Sequence, residues 1–112
     1  ENKIDKKYQC FTLHDVFEHL YFPNSALTNI FKIAEDEFFL IVDIPDLKQG
    51  LDDDIQSWRH FKGLQHPFAY TGNSLDYVVH FSVDKHKFNI ECIAEYAPIP
   101  HKYVKIYKIK KF

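Results

Sequence analysis

The most regular pattern in the chain is a long alternation of apolar and polar positions in its second half. Leu75, Tyr77, Val79, Phe81 and Val83 alternate with Asp76, Val78, His80 and Ser82; further on, Phe88, Ile90, Cys92, Ala94 and Tyr96 alternate with Asn89, Glu91, Ile93 and Glu95. Side chains of a strand switch faces at every residue, so this period predicts two strands, and a one-residue slip would expose the whole apolar set. A turn centred on Lys85 and His86 keeps both apolar faces together and pairs Val83 with Phe88 through to Leu75 with Tyr96. In that register Cys92 faces the apolar side and His80 the other, opposite Glu91.

Elsewhere the pattern predicts two helices and more strands. Leu13, Val16, Phe17, Leu20 and Tyr21 follow helical spacing over Thr12 to Tyr21, with Thr12 and Asp15 resembling a capping box and Pro23 and Asn24 as the stop. Leu27 to Ile33 and Phe38 to Ile44 read as a hairpin around the turn Ala34 to Glu37, the second strand apolar on both faces and therefore central. Asp52 to Lys62 reads as a second helix, acidic at its start, basic at its end and closed by Gly63. Tyr103 to about Lys110 reads as a last strand whose lysines protect a sheet edge. The expected fold is α+β: a mainly antiparallel sheet of about five strands in two or three hairpins, with one N-terminal helix and one helix in the middle. No linker or repeat divides residues 1–112, which are expected to form a single domain.

Size and composition are consistent with that. A chain of 112 residues buries roughly 65% of the surface its unfolded form exposes, and eleven Phe, seven Tyr and one Trp supply more aromatic surface than one thin core needs. Cys10 and Cys92 are too few for a disulfide framework and lack zinc-finger spacing. No apolar run approaches the roughly 20 residues of a membrane span, and Glu1 to Phe11 does not resemble a signal peptide, so a cytoplasmic location without membrane contact is expected.

Candidate chemistry is thin. His14 and His19 are five apart, about 140° around a helix, not on the single face that a metal-binding i, i+4 pair needs. They read as a solvated face paired with Glu18 and Asp15. The hairpin register separates His80 from Cys92, which argues against a nucleophilic pair. His60, His66, His86 and His101 combine with the lysines in too many ways to define a site. No Gly-rich phosphate loop, GxSxG, HExxH or paired-carboxylate motif is present. The expectation is therefore a protein that is not an enzyme, with no catalytic residue, metal, cofactor or small-molecule substrate.

Charge changes the picture more. The net charge of −2 conceals eight acids against one base between Glu35 and Asp54, and five lysines without an acid between His101 and Phe112. Glu35 to Glu37 can be a polar turn and Asp52 to Asp54 a helix start. Taken together they form an acidic surface that a basic partner would relieve, with Trp58 as an apolar anchor.

The acidic EDE at Glu35 to Glu37 and LDDDIQSW at Leu51 to Trp58, with small size, aromatic richness and lysine-rich, arginine-poor usage, resemble the bacterial toxin-immunity proteins of contact-dependent growth inhibition. The resemblance implies stoichiometric binding to a cognate toxin domain, often a nuclease, whose basic groove is blocked. The partner-binding residues would be Asp46, Asp52, Asp53, Asp54, Trp58, Glu35 and Asp36. The alternative is a nucleic-acid-binding domain using the C-terminal lysines interleaved with Tyr103, Tyr107 and Phe112, although Arg59 is the only arginine. A small hydrolase is a third reading.

Overall fold

The computed structural model describes residues 6–47, 68, 70–100 and 102–112. In chain order these form β1 (Tyr8–Leu13), a 3-10 turn (Phe17–His19), α1 (Pro23–Ile33), β2 (Ala34–Pro45), α2 (Gly72–Lys85), β3 (Asn89–Tyr96) and β4 (Lys102–Lys110). The strands make one mixed sheet in the order β1-β2-β4-β3. β1 and β2 run parallel, joined across α1, whereas β4 is antiparallel to both of its neighbours. The antiparallel five-strand expectation is thus corrected to four strands containing a parallel pair.

Two predicted elements exchange identity. Thr12 to Tyr21 is no helix: Thr12 and Leu13 finish β1, Asp15 turns the chain at a left-handed φ of 54°, and Phe17 drops into the core. Pro23 starts a helix instead of ending one, because its fixed φ suits the first helical position where its missing N–H costs nothing. The segment Leu27 to Ile33, read as a strand, is then helical, with Leu27 and Phe31 buried one turn apart. Ala34 to Glu37, read as a turn, belongs to β2.

The strongest predicted alternation also yields. Residues 72–85 are helical, with Leu75, Val79, Ser82 and Val83 buried. Positions i, i+4 and i+8 belong to the strand series and the helix series alike, so Leu75, Val79 and Val83 satisfy both. Tyr77, 74% exposed, and Phe81 are the members that fit only a strand, and they face outward. Local bonding favours the helix: Ser74 N donates to Thr71 Oγ1 at 3.1 Å and Thr71 N donates to Ser74 Oγ at 2.9 Å, a reciprocal cap in which serine replaces the usual Glu or Gln. At the other end Lys87 adopts φ 59° and the chain re-enters the sheet.

β3 therefore pairs with β4, not with residues 75–83, and β4 lies inside the sheet instead of protecting its edge. The core lies between the sheet and the two helices. Phe38, Leu40, Val42 and Ile44 on β2 join Tyr107 and Ile109 on β4, under Leu27 and Phe31 of α1 and Leu75, Val79 and Val83 of α2. Among the described residues no helix is long and apolar enough to cross a membrane. The predicted helix Asp52 to Lys62 lies outside the described residues.

Candidate functional site

Because β1 and β2 are parallel, their carboxyl ends emerge together, and the antiparallel β4 begins at the same end, where Lys102 pairs with Pro45. Sheets of this type present ligand-binding residues at the carboxyl ends of their parallel strands. Here that end carries a compact ionic cluster. His14 Nδ1 lies 2.5 Å from Asp43 Oδ2, and the Asp15 backbone N–H donates to Asp43 Oδ1 at 2.9 Å. Lys102 Nζ donates to Asp15 and lies 3.3 Å from Asp43 Oδ1, while His14 Nε2 is 3.3 Å from Asp15 Oδ2.

The left-handed turn at Asp15 creates this arrangement. It reverses the chain directly after β1 and brings its amide onto Asp43, a carboxylate buried in the apolar stretch 38–45 of β2 that must be hydrogen-bonded there. The hydrogen bond and charge of Asp43 raise the His14 pKa, with Asp15 adding to the effect. The hydrogen bond from Lys102 lowers the Asp15 pKa. Burial opposes the Lys102 charge, but its two carboxylate partners outweigh burial and raise its pKa. His14, Asp15 and Asp43 each offer a ligand atom within 4.8 Å of the others, although the Lys102 ammonium already holds the cation position between the carboxylates.

At the same end of the sheet a cleft of about 190 Å³ is lined by Asp46, Thr71, Gly72, Asn73 and Tyr103. Asp46 forms a bridge with Tyr70, and Leu47 N donates to Tyr70 O at 2.8 Å, which ties the end of β2 to the start of α2. Burial pushes the Tyr70 hydroxyl up to about 12. A Cβ on Gly72 would meet Tyr103 Cε1 at 3.0 Å, so a glycine here lets the helix start approach β4 closely.

Of the seven predicted partner-binding residues three are described, and Asp46 stands apart from the other two. Asp46 lies in this cleft, whereas Glu35 and Asp36 are exposed at the opposite end of β2, about 33 Å away along a strand rising ~3.3 Å per residue. Asp52, Asp53, Asp54 and Trp58 lie outside the described residues. His14 and Asp15, read as a solvated helix face, pair with Asp43 and Lys102 and not with Glu18 and His19. The signal that could have found them is the lone Asp43 inside FFLIVDIP, since a carboxylate in a buried apolar strand requires partners brought from elsewhere.

No family model matches the chain, and neither does any curated protein. Among solved structures it is similar to the plantazolicin methyltransferase BpumL in complex with SAH, at a TM-score of 0.65 and 11% identity, covering 100% of this chain and 55% of that one. BpumL with SAH and a pentazolic desmethylPZN analog gives 0.66 and 12%, over 100% of this chain and 56% of that one. BamL with SAH and a triazolic analog gives 0.64 and 11%, over 97% and 55%. This chain thus spans little more than half the length of these structures. The class defined is a methyltransferase-like α/β fold. That likeness points to a methyltransferase-like fold rather than to the toxin-immunity proteins, and it corrects the toxin-immunity and non-enzyme expectations to the extent that the solved structures sharing this fold are methyltransferases.

Proposed function

We propose that this chain forms part of an S-adenosyl-dependent methyltransferase site at the carboxyl ends of β1 and β2. The observation that carries the proposal is the ionic cluster of His14, Asp15, Asp43 and Lys102 at the one end of the sheet where a parallel pair presents its termini. The likeness to SAH-bound methyltransferases over essentially the whole chain supports it. Fold alone does not define an activity, so the reading depends on these side chains.

The donor set suits such a ligand. S-adenosylmethionine is cationic at sulfur, carries an α-ammonium and presents ribose hydroxyls, all of which call for carboxylate acceptors. Asp15, Asp43 and Asp46 supply them at this end, and the cleft at Thr71, Gly72 and Tyr103 adds polar groups beside them. When bound, the group supplies an electrophilic methyl on sulfonium. The protein's part is to orient and to exclude water: Asp43 fixes the His14 ring and the Asp15 backbone together, and Lys102 holds the Asp15 carboxylate ionised. Oriented charges of this kind are worth more in a partly enclosed site than in open water.

Titrating the isotope-labelled protein with SAH and following backbone amide resonances tests the proposal. Shifts concentrated at residues 13–16, 43–46 and 70–73 are expected, together with about tenfold weaker binding for Asp43→Asn, the size of one charged hydrogen bond. Shifts centred on Glu35 and Asp36, or none at millimolar SAH, would overturn it.

A further inference from the structure

A second concave surface lies between the two helices. A groove of about 300 Å³ runs from the polar face of α1, at Asn24, Thr28, Asn29 and Lys32, to the last turn of α2, at Lys85 and His86. The 14 residues of α2 place this end about 20 Å from the Gly72 cleft on helical rise. No residue lining the groove is acidic. On a helix surface a lysine ordinarily meets a carboxylate three or four residues before it, but Lys32 has Asn29 and Thr28 there and Lys85 has Ser82 and Phe81. Among the described residues neither lysine makes an ion pair, and the side chains of Thr28 and Asn29 make no hydrogen bond. The acceptors, by contrast, are already used. Ser82, buried at the helix contact, donates from Oγ to Asn24 Oδ1 at 2.6 Å, so the NH2 is the uncommitted end of that amide. His86 Nδ1 lies 2.8 Å from Ser82 O; a carbonyl only accepts, so Nδ1 carries the proton and Nε2 is the ring's remaining polar atom. The imidazole packs against Phe31 and Phe88, with centroids 5.1 and 5.5 Å away, which holds its orientation. Val83 O accepts from both His86 N and Phe88 N, so the carbonyls that would repel an anion at the end of α2 are occupied.

We infer that this groove binds the phosphate group of a small phosphomonoester. Its chemistry is one-sided: two ammonium groups, an imidazole, two amides and a hydroxyl converge with no competing acceptor. Two lysines and an imidazole balance a dianion, whereas a single carboxylate would leave positive charge uncompensated, and lysine serves phosphate as a point charge without the fork geometry of arginine. The first turn of α1 adds to the attraction: Asn24 lies in it, and Phe22 at the N-cap supplies no side-chain acceptor to its amides. The volume exceeds that of a phosphate and leaves room for the organic group it is attached to. No residue of the groove belongs to the cluster at the carboxyl ends of β1 and β2, so the inference does not rest on the methyltransferase reading.

The test is a titration of the full isotope-labelled chain with inorganic phosphate and, separately, with glycerol phosphate, each against sodium chloride of matched ionic strength. Saturable shifts of backbone and side-chain amides are expected at residues 24–32 and 82–86 with both probes, half-complete below about 10 mM. Lys32→Gln and Lys85→Gln alter exposed side chains that pack against nothing buried, and each should weaken binding about tenfold, the size of one charged hydrogen bond. Lys110→Gln, an exposed lysine of β4, should leave binding unchanged. Equal weakening by Lys110→Gln, or shifts that chloride reproduces, would reduce the effect to general attraction by lysines and overturn the inference. Shifts centred on His14 and Lys102 would overturn it too, as would inorganic phosphate binding where glycerol phosphate does not, since the groove would then exclude an ester. SAH is absent throughout and the two sets of residues do not overlap, so this result and that of the SAH titration are read separately.

Discussion

Two lysines of β4, three residues apart, each bridge two carboxylates, yet they serve different ends. Lys105, its side chain 3% exposed, lies 2.6 Å from Asp76 and 3.1 Å from Glu95, and Asp76 also accepts from Tyr107 Oη at 2.5 Å. Lys102, 19% exposed, bridges Asp15 and Asp43 at the open end of the sheet, with His14 closing the cluster. The first network joins α2 to β3 and β4 and holds the Lys105 ammonium almost wholly out of water. The second stands at the end of the sheet and includes His14, whose pKa is raised by Asp43 and Asp15. Similar ion pairing therefore sits in two settings, one with its lysine buried and one at the exposed end of the sheet. Burial raises the cost of losing a partner in the first, and exposure limits it in the second.

The largest effect expected from this contrast is at Asp76. Asp76→Ala leaves Lys105 buried with one remaining carboxylate and strips Tyr107 of its acceptor, a loss of about 3 to 5 kcal/mol in urea unfolding. The matching removal in the open cluster, Lys102→Ala, leaves Asp15 in reach of water and Asp43 still held by His14 and the Asp15 amide, and should cost about 1 kcal/mol or less. Equal losses at the two sites would abolish the distinction. The double variant Lys105→Met with Asp76→Leu sharpens it further: if the sealed pair is structural, an apolar replacement of similar volume should recover most of the stability.

Gly72→Ala is a smaller perturbation next to the Lys105 network, where Gly72 lies against Tyr103 and Lys105. The added methyl would lie 3.0 Å from Tyr103 Cε1 and 3.4 Å from Lys105 Cε, and Tyr103 is held by its hydrogen bond to Glu95 at 3.0 Å. Overpacking should cost about 1 to 2 kcal/mol, partly offset by the better helix propensity of alanine. Removing the obstructing ring, with Tyr103→Leu in the same chain, should make the alanine neutral. If it remains equally costly, the clash is not the cause.

The contrast also explains what the sequence could reveal. β2 and β4 were legible because FFLIVDIP and the segment from Tyr103 onward have strand composition that no helical reading competes with. α2 was not, because Leu75, Val79 and Val83 fit both periods and the discriminating evidence is a Thr71–Ser74 cap that lacks the usual glutamate. α1 was hidden by Pro23, which can end one helix or begin another. The site was the least legible part. Its residues come from three strand ends, 14–15, 43 and 102, and only the parallel pairing of β1 with β2 brings them together. An antiparallel reading sends those ends apart. The acidic runs that dominated the sequence reading were prominent because they are contiguous, whereas this ionic cluster is assembled across 88 positions of chain.

The smallest effect, and the one most particular to the open cluster, is on pH dependence. His14 has a folded pKa above 6.5, because it gains Asp43 and Asp15 as partners. Its contribution to stability is therefore fully present below pH 6.5 and is lost as pH rises through the folded pKa. Asp15 behaves oppositely: its folded pKa is below 3.8, so its contribution is present above that value and lost as pH falls through the folded one. The cluster is thus tightest between about pH 4 and 6.5, whereas the lysine pKa at the sealed site lies above its ordinary 10.5, far from this window. Following the His14 ring resonances against pH should give a midpoint above 6.5 that falls toward the ordinary value in Asp43→Asn and does not move in Asp76→Ala. A His14 midpoint unchanged by Asp43→Asn would mean that Asp43 does not hold the imidazole, and the open cluster would lose the feature that separates it from the sealed one.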